Sequence, residues 1–444
     1  MEDPVRWGYT WSNAKGAKDW MGILLRDVRL LERGTASFWV RIRGDRIDVV
    51  SSTPLAPDLE DEVVDAGGKL AVPGFVNAHT HLPMVLFRGL ADDVPLEEWL
   101  ERHVWPIERK LSPEDVYWCA LLALAEAIRG GTVAVADMYF CTDQVAQAVE
   151  ESGIRGVLSY GMMARSMSEG GEKELRTTEK VAATWQGAAG GRISVAVSPH
   201  SSYTCGEDVW RAAKELAQER GLRIHTHLSE SRQEVATVRS QMGSSPPEYL
   251  DRLGIFEVPT LAAHCVHVSE SDLDVLARGG VVVAHCPKSN AKLGSGLAPV
   301  VSMRARGIRV VLGTDGAASN NRLDMIEELR AAWLLARGPS EDPRALSARD
   351  VIAMATDEGR AGLGLPPARL EPGDVADIAL LRLDGVHTTP AGEGLSTLAF
   401  ASQSSDVTDV AVAGKWLMRE GRLLTIDEER VQSEVSRLLR RHTN

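Results

Sequence analysis

The chain has 444 residues, 44% of them hydrophobic and 25% charged, the make-up of an enzyme-sized globular protein with room for a large core. A formal net charge of −13 and a pI near 5.4 argue against nucleic acid or an anionic membrane as the main partner and leave a small molecule open. The five cysteines are odd in number and never spaced C-x-x-C, so no disulfide framework or cysteine metal site is expected, and reduced thiols suit a cytoplasmic protein.

Residues 1–20 are polar and charged, with Gly and Pro and no apolar centre. They read as an N-terminal extension without a signal peptide, and no run in the chain reaches transmembrane length. From 21 to 69 the pattern is short and strand-like, as in Ile23-Leu24-Leu25 and Ser37-Phe38-Trp39-Val40. The same texture returns within 370–425, so both chain ends are expected to build one composite β-sandwich domain, followed by a C-terminal helix over 426–444.

Between them, residues 70–369 alternate apolar strand-like runs with helical patterns. The runs fall at 70–81, 132–138, 154–162, 193–200, 223–230, 260–267, 280–287 and 309–316. Helical connections are expected at 113–129, 207–219, 270–277 and 323–336, the first opened by Ser112-Pro113. Continuous Val/Ile/Ala runs joined by helices indicate buried parallel strands, and eight such units predict a (β/α)8 TIM-like barrel.

Most of these runs end in a polar residue: His79-Thr80-His81, Asp137, His200, His225-Thr226-His227 with Glu230, His264 and His267, His285, and Thr314-Asp315. In such a barrel the C-terminal strand ends form the catalytic face. Strand side chains alternate, so His79 and His81 point the same way, into one cavity. His227 and Asp315, from other strands, can complete a shell of three histidines and a carboxylate. That set suits one divalent metal ion, zinc or iron(II), and leaves room for a water. His225 should face the same way as His227 one layer deeper, as a core group or a support for a ligand. Cys265 and Cys286 read as small core residues.

The segment Pro73-Gly74-Phe75-Val76-Asn77-Ala78-His79-Thr80-His81 resembles the opening signature of the amidohydrolase superfamily. Arg88-Gly89-Leu90-Ala91-Asp92-Asp93, Glu98-Trp99-Leu100, Pro106-Ile107-Glu108, Pro199-His200-Ser201, His227-Leu228-Ser229-Glu230, Lys288-Ser289-Asn290 and Gly313-Thr314-Asp315 are similar to its 5′-methylthioadenosine/S-adenosylhomocysteine deaminase branch. The resemblance implies His79, His81, His227 and Asp315 as metal ligands, with Asp315 also catalytic. It implies Glu230 as proton shuttle and His264 as the histidine at the attacking water. It places Glu108 and His200 around the ribose. Trp99, Tyr160 and Asn290 join Glu230 as further substrate-contact candidates. Strand four offers His200 and no lysine, so a two-metal site built on a carbamylated lysine is not expected.

The implied activity is hydrolytic deamination of an adenine nucleoside (methylthioadenosine, 5′-deoxyadenosine or adenosine) with release of ammonia by metal-activated water. Alternatives are another ring on the same scaffold, such as an s-triazine, guanine or an aminofutalosine-type intermediate, and a non-catalytic barrel. Related enzymes carry arginines after strand three that hold an amino-acid carboxylate. Here Tyr160 and Glu172 stand in that segment and only Arg165 could substitute, so a less charged 5′-substituent is expected. The resemblance also implies a homo-oligomer.

Overall fold

The computed structural model describes residues 22–90, 92–94 and 98–443. The expected extension over 1–20, with Trp7, Trp11 and Trp20, lies outside them. The strands, in chain order, are β1 Gly22–Leu30, β2 Ser37–Arg43, β3 Arg46–Ser51, β4 Asp61–Asp65, β5 Lys69–Pro73, β6 Phe75–Thr80, β7 Thr132–Tyr139, β8 Arg155–Met162, β9 Ile193–Pro199, β10 Arg223–Leu228, β11 Thr260–His264, β12 Val282–His285, β13 Val310–Leu312, β14 Ile378–Arg382, β15 Val407–Val412, β16 Lys415–Arg419 and β17 Arg422–Leu423.

β6 to β13 form one all-parallel sheet in sequence order, which is the expected barrel. It closes between its first and last strands through loop atoms. The Asp315 N–H donates to the His79 carbonyl at 2.9 Å, and Asn77 bridges to the Thr314 N–H (2.9 Å) and hydroxyl (2.7 Å). Gly313 makes this approach possible, because a Cβ there would stand 2.8 Å from the His79 nitrogen. The barrel interior is filled by small apolar residues such as Ala78, Ala134, Ala196, Ala263 and Ala284. The larger side chains pack outside it under the helices.

The helix Pro113–Arg129 starts where Ser112 and Pro113 require it, with a reciprocal cap between Ser112 and Asp115. Asp115 also receives Arg441 and His442 from the last helix, Glu428–Thr443, and so docks that helix.

The remaining nine strands make the composite domain from both chain ends, in the order β17-β16-β15-β14-β5-β1-β2-β3 with β4 on β1. β1 pairs with β4 in its first half and β5 in its second, switching at an irregularity between Leu25 and Val28 where Asp27 takes φ 60°. Its own small core includes Leu25, Val28, Ile42, Ile47 and Leu380. The single strand expected over 70–81 is therefore two, because Lys69–Pro73 pairs with β14 and only Phe75–Thr80 enters the barrel. Gly74 is the break: a Cβ there would lie 2.1 Å from Val133, and its N–H donates to Asp377 O at 3.0 Å. Asp377 itself, fully buried, takes Arg155 from the start of β8 (2.6 and 3.0 Å) and Arg360 (2.8 Å), tying the end sheet to the barrel floor opposite the histidines.

Candidate active site

The strand-end residues meet in space. His79 and His81 leave β6 on one face, and their rings are 4.9 Å apart and nearly perpendicular. His227 comes from β10, His264 from the end of β11, and Asp315 from the loop after β13. Two overlapping groups of metal-donor atoms result, His79–His81–Asp315 and His79–His227–His264, each with its atoms within 4.8 Å of one another. Asp315, His264 and Ser229 all sit at positive φ (60°, 72° and 51°), so backbone strain gathers around this point.

Hydrogen bonds decide which ring nitrogens face the cluster. His81 Nδ1 is 2.6 Å from the Met138 carbonyl and His227 Nδ1 is 2.9 Å from the His200 carbonyl. A carbonyl can only accept, so both Nδ1 atoms carry the proton and both Nε2 atoms present lone pairs. Those two Nε2 atoms are 3.2 Å apart. Two neutral acceptors at that distance repel unless a cation lies between them. His79 Nε2 is fully buried with no hydrogen-bond partner, and Asp315 Oδ1 stands 3.6 Å from it and 3.3 Å from His81 Nε2. Three imidazole lone pairs and one carboxylate oxygen converging on a point fit a divalent cation.

Charge follows the same logic. Burial pushes His79 down to about 4 and holds His227 well below the usual imidazole range, so both are neutral at pH 7. For Asp315, burial opposes ionisation, but the contacts with His79, His81 and His264 outweigh it and keep the carboxyl well below its usual value. Its Oδ2 also accepts from the Ser289 and Ser319 hydroxyls at 2.6 and 2.8 Å.

His264 is oriented by Asn290, whose side-chain oxygen lies 2.8 Å from Nδ1, leaving Nε2 3.8 Å from Glu230 Oε2. Burial lowers the His264 pKa, but Glu230, Asp315 and the Asn290 bond outweigh it and the net shift is upward.

The histidines floor an open-mouthed cavity. Trp99, Glu108, His200, Glu230 and His264 all line it, and Met84, Trp105, Met138, Phe140, Met163 and Tyr203 supply apolar and aromatic walls. Glu108 accepts from Tyr139 Oη at 2.6 Å, and burial pushes its pKa up to about 7 despite that bond and Arg109. His200 lies beside His227 with ring centroids 4.4 Å apart and planes tilted by 43°, and burial lowers its pKa to about 3.

Two expected substrate contacts need correction. Tyr160 is not among the lining residues. Its neighbour Gly161 lines the cavity, so strand alternation turns Tyr160 to the other face of β8. Asn290 is buried behind His264 and contacts that ring instead of the opening. Glu172 pairs with Arg176 at 3.2 Å, and Arg165 donates to the Tyr203 carbonyl at 2.6 Å. Arg109 stands in an adjoining outer hollow with Trp105, Phe140 and Met163.

Some contributors carry no side-chain signal in the sequence. The Met138 and His200 carbonyls orient His81 and His227 as backbone atoms. Ser289 and Ser319 lie inside recognisable segments, yet only the fold brings both to Asp315. Asp137, polar at the end of β7, accepts from the Leu82 N–H at 2.6 Å and so braces the turn after His81.

The chain matches the Amidohydrolase family over residues 70–417. It is 44% identical over 427 residues to the 5-methylthioadenosine/S-adenosylhomocysteine deaminase of Desulforudis audaxviator, covering 95% of this chain and 99% of that protein. It is 45% identical over 392 residues to the 5′-deoxyadenosine deaminase of Methanothermobacter thermautotrophicus, covering 88% and 92%. Among solved structures, an adenosine deaminase from Xanthomonas campestris with zinc bound superposes with a TM-score of 0.89 at 32% identity, covering 95% of this chain and 98% of that one. Family match, barrel and histidine–aspartate cluster agree: the chain belongs to the amidohydrolase family and is a metal-dependent hydrolase.

Proposed function

We propose that the protein deaminates an adenine nucleoside by hydrolysis, turning the 6-amino group into a carbonyl and releasing ammonia. The observation that carries this reading is the pairing of Glu230 with His264 across 3.8 Å, at the wall of a cavity that also holds the Glu108 carboxyl. Relatives named for methylthioadenosine, S-adenosylhomocysteine and 5′-deoxyadenosine support the substrate class.

His79, His81, His227 and Asp315 would hold one divalent ion, zinc or iron(II), which when bound lowers the pKa of water to about 7. Asp315 is an ionised acceptor beside this point, and His264 flanks it from β11. Asp315 takes the proton of the attacking water while His264 Nε2 orients it. Glu230 delivers a proton to the ring nitrogen next to the carbon under attack, so that the electron pair pushed onto that nitrogen has a proton to take up. Collapse of the tetrahedral carbon then expels ammonia: the proton held by Asp315 passes to the departing amine, and the hydroxyl proton returns to Glu230, which restores both groups. Trp99 and the methionine walls take the purine and exclude water, and Glu108 faces the ribose hydroxyls. Among the described residues no arginine or lysine lines this cavity, which favours an uncharged 5′-substituent.

All five cysteines are unpaired, which fits a reducing, cytoplasmic setting, and no helix among the described residues is long and apolar enough to cross a membrane. A homo-oligomer belongs to the same proposal and is open to light scattering. The direct test of the chemistry is Glu230→Gln. It should keep its metal and lose roughly 10²- to 10⁴-fold in kcat; near-normal turnover would remove Glu230 from this role.

A further inference from the structure

Glu234 is a carboxylate that the reaction itself does not use. It is 3% exposed and sits in the first turn of the helix Arg232–Met242. Its Oε2 accepts from the Glu230 N–H at 2.7 Å, and its Oε1 from the Ser229 N–H and the Ser202 hydroxyl, both at 3.1 Å.

Helix capping does not explain this pattern. In four other helices an acid at the third position reaches back to the backbone N–H of the capping serine: Asp115 to Ser112, Glu248 to Ser245, Asp272 to Ser269 and Asp350 to Ser347. Glu234 holds the same position after Ser231, whose hydroxyl accepts its N–H at 3.0 Å. Its carboxylate passes over the cap and takes the two N–H groups before it. Those belong to the turn that carries Glu230, where Ser229 is held at φ 51°. A non-glycine residue in that region needs outside support. The same turn is fixed to β11 by the His267 N–H donating to the Ser229 carbonyl at 2.9 Å.

We propose that Glu234 is a positioning residue for the reaction: it clamps the strained Ser229–Glu230 turn so that the Glu230 carboxyl stays beside His264. This rests on Glu230 acting as the proton carrier. A neutral amide at 234 is isosteric but can accept only through one atom, so at least one N–H of the clamp faces a donor.

The test is a double-mutant cycle on the full-length, metal-loaded protein, using an adenine nucleoside that the wild type turns over. Glu234→Gln should lower kcat about tenfold to a hundredfold, the cost of misplacing a reacting group by an ångström or less. KM should stay within about threefold, because uniform binding is untouched, and metal stoichiometry should be unchanged. In a Glu230→Gln background, followed under single-turnover conditions, the same substitution should cost no more than about twofold, since the group it positions is gone.

Equal losses in both backgrounds would make Glu234 a general structural residue and overturn the proposal. So would normal kcat in Glu234→Gln beside a crippled Glu230→Gln. Normal turnover in Glu230→Gln would instead bring down the proton-carrier reading and this inference with it. Should Glu234→Gln not fold, Ser202→Ala asks the same question with a lighter change: reduced kcat at unaltered KM and metal content supports the clamp, and unaltered kcat contradicts it.

Discussion

His225 Nε2 lies 2.9 Å from His79 Nδ1, two residues before His227 on β10 and one layer deeper. An imidazole that offers Nε2 to a cation carries its proton on Nδ1, so His79 donates to His225 and the pair fixes the lone pair that faces the cluster. Ligating histidines commonly rest on such a partner. His225→Leu keeps the volume and removes the acceptor. It should weaken metal binding roughly tenfold to a hundredfold, measured by competition with a chromophoric chelator. Unchanged affinity would reduce His225 to core packing.

In the proposed reaction Glu108 faces the ribose. Burial places its titration at about 7, so it is mainly protonated in mild acid and ionised above neutrality. The ionised form accepts strongly from sugar hydroxyls. KM for a nucleoside should fall as pH rises through about 7. Glu108→Gln should abolish that step and raise KM by roughly tenfold to a hundredfold, the worth of hydrogen bonds to a charged group. Steady-state kinetics across pH check this, and a pH-independent KM in the wild type would move the ribose elsewhere.

Asp377 holds the two domains together. Burial alone would raise its pKa, but the Arg155 bond and the Arg360 and Arg155 charges outweigh that and lower it below 3.8. Its contribution to stability is therefore fully present above the unfolded carboxylate value and is lost as pH falls through the lower folded one. Asp377→Ala leaves two buried guanidinium groups without their partner and should cost about 3–5 kcal/mol at pH 7. Denaturant unfolding at pH 7 and in acid would show it, with the gap from wild type narrowing in acid. A loss well under 1 kcal/mol would mean water reaches the arginines.

The barrel was legible because its strands are continuous apolar runs that end in polar residues, a pattern that repeats through β13. The meeting of His79 with His81 follows from the period of two along a strand. What was not legible had local causes. The Gly74 break was passed over although Pro73-Gly74 is a turn-type pair, and the contacts that set it, with Val133 and Asp377, come from elsewhere in the chain. Tyr160 was misplaced by one register step, which in a strand exchanges inside for outside. Asn290 contacts the site through His264, and spacing cannot distinguish a wall from the residue behind it. Glu234 has the spacing from Ser231 of a first-turn capping acid, and only its distances to Ser229 and Glu230 separate it from the four capping acids.

The most direct test of the central claim is turnover by the zinc-loaded protein, following ammonia release together with the ultraviolet change from adenine to hypoxanthine. The panel is adenosine, 5′-deoxyadenosine, methylthioadenosine, S-adenosylhomocysteine, guanine and a chlorinated triazine. We predict deamination of at least one adenine nucleoside, with methylthioadenosine ahead of S-adenosylhomocysteine because, among the described residues, no arginine or lysine lines the cavity to meet its carboxylate. Silence on every adenine nucleoside with metal bound, or turnover of guanine or the triazine alone, would contradict the account.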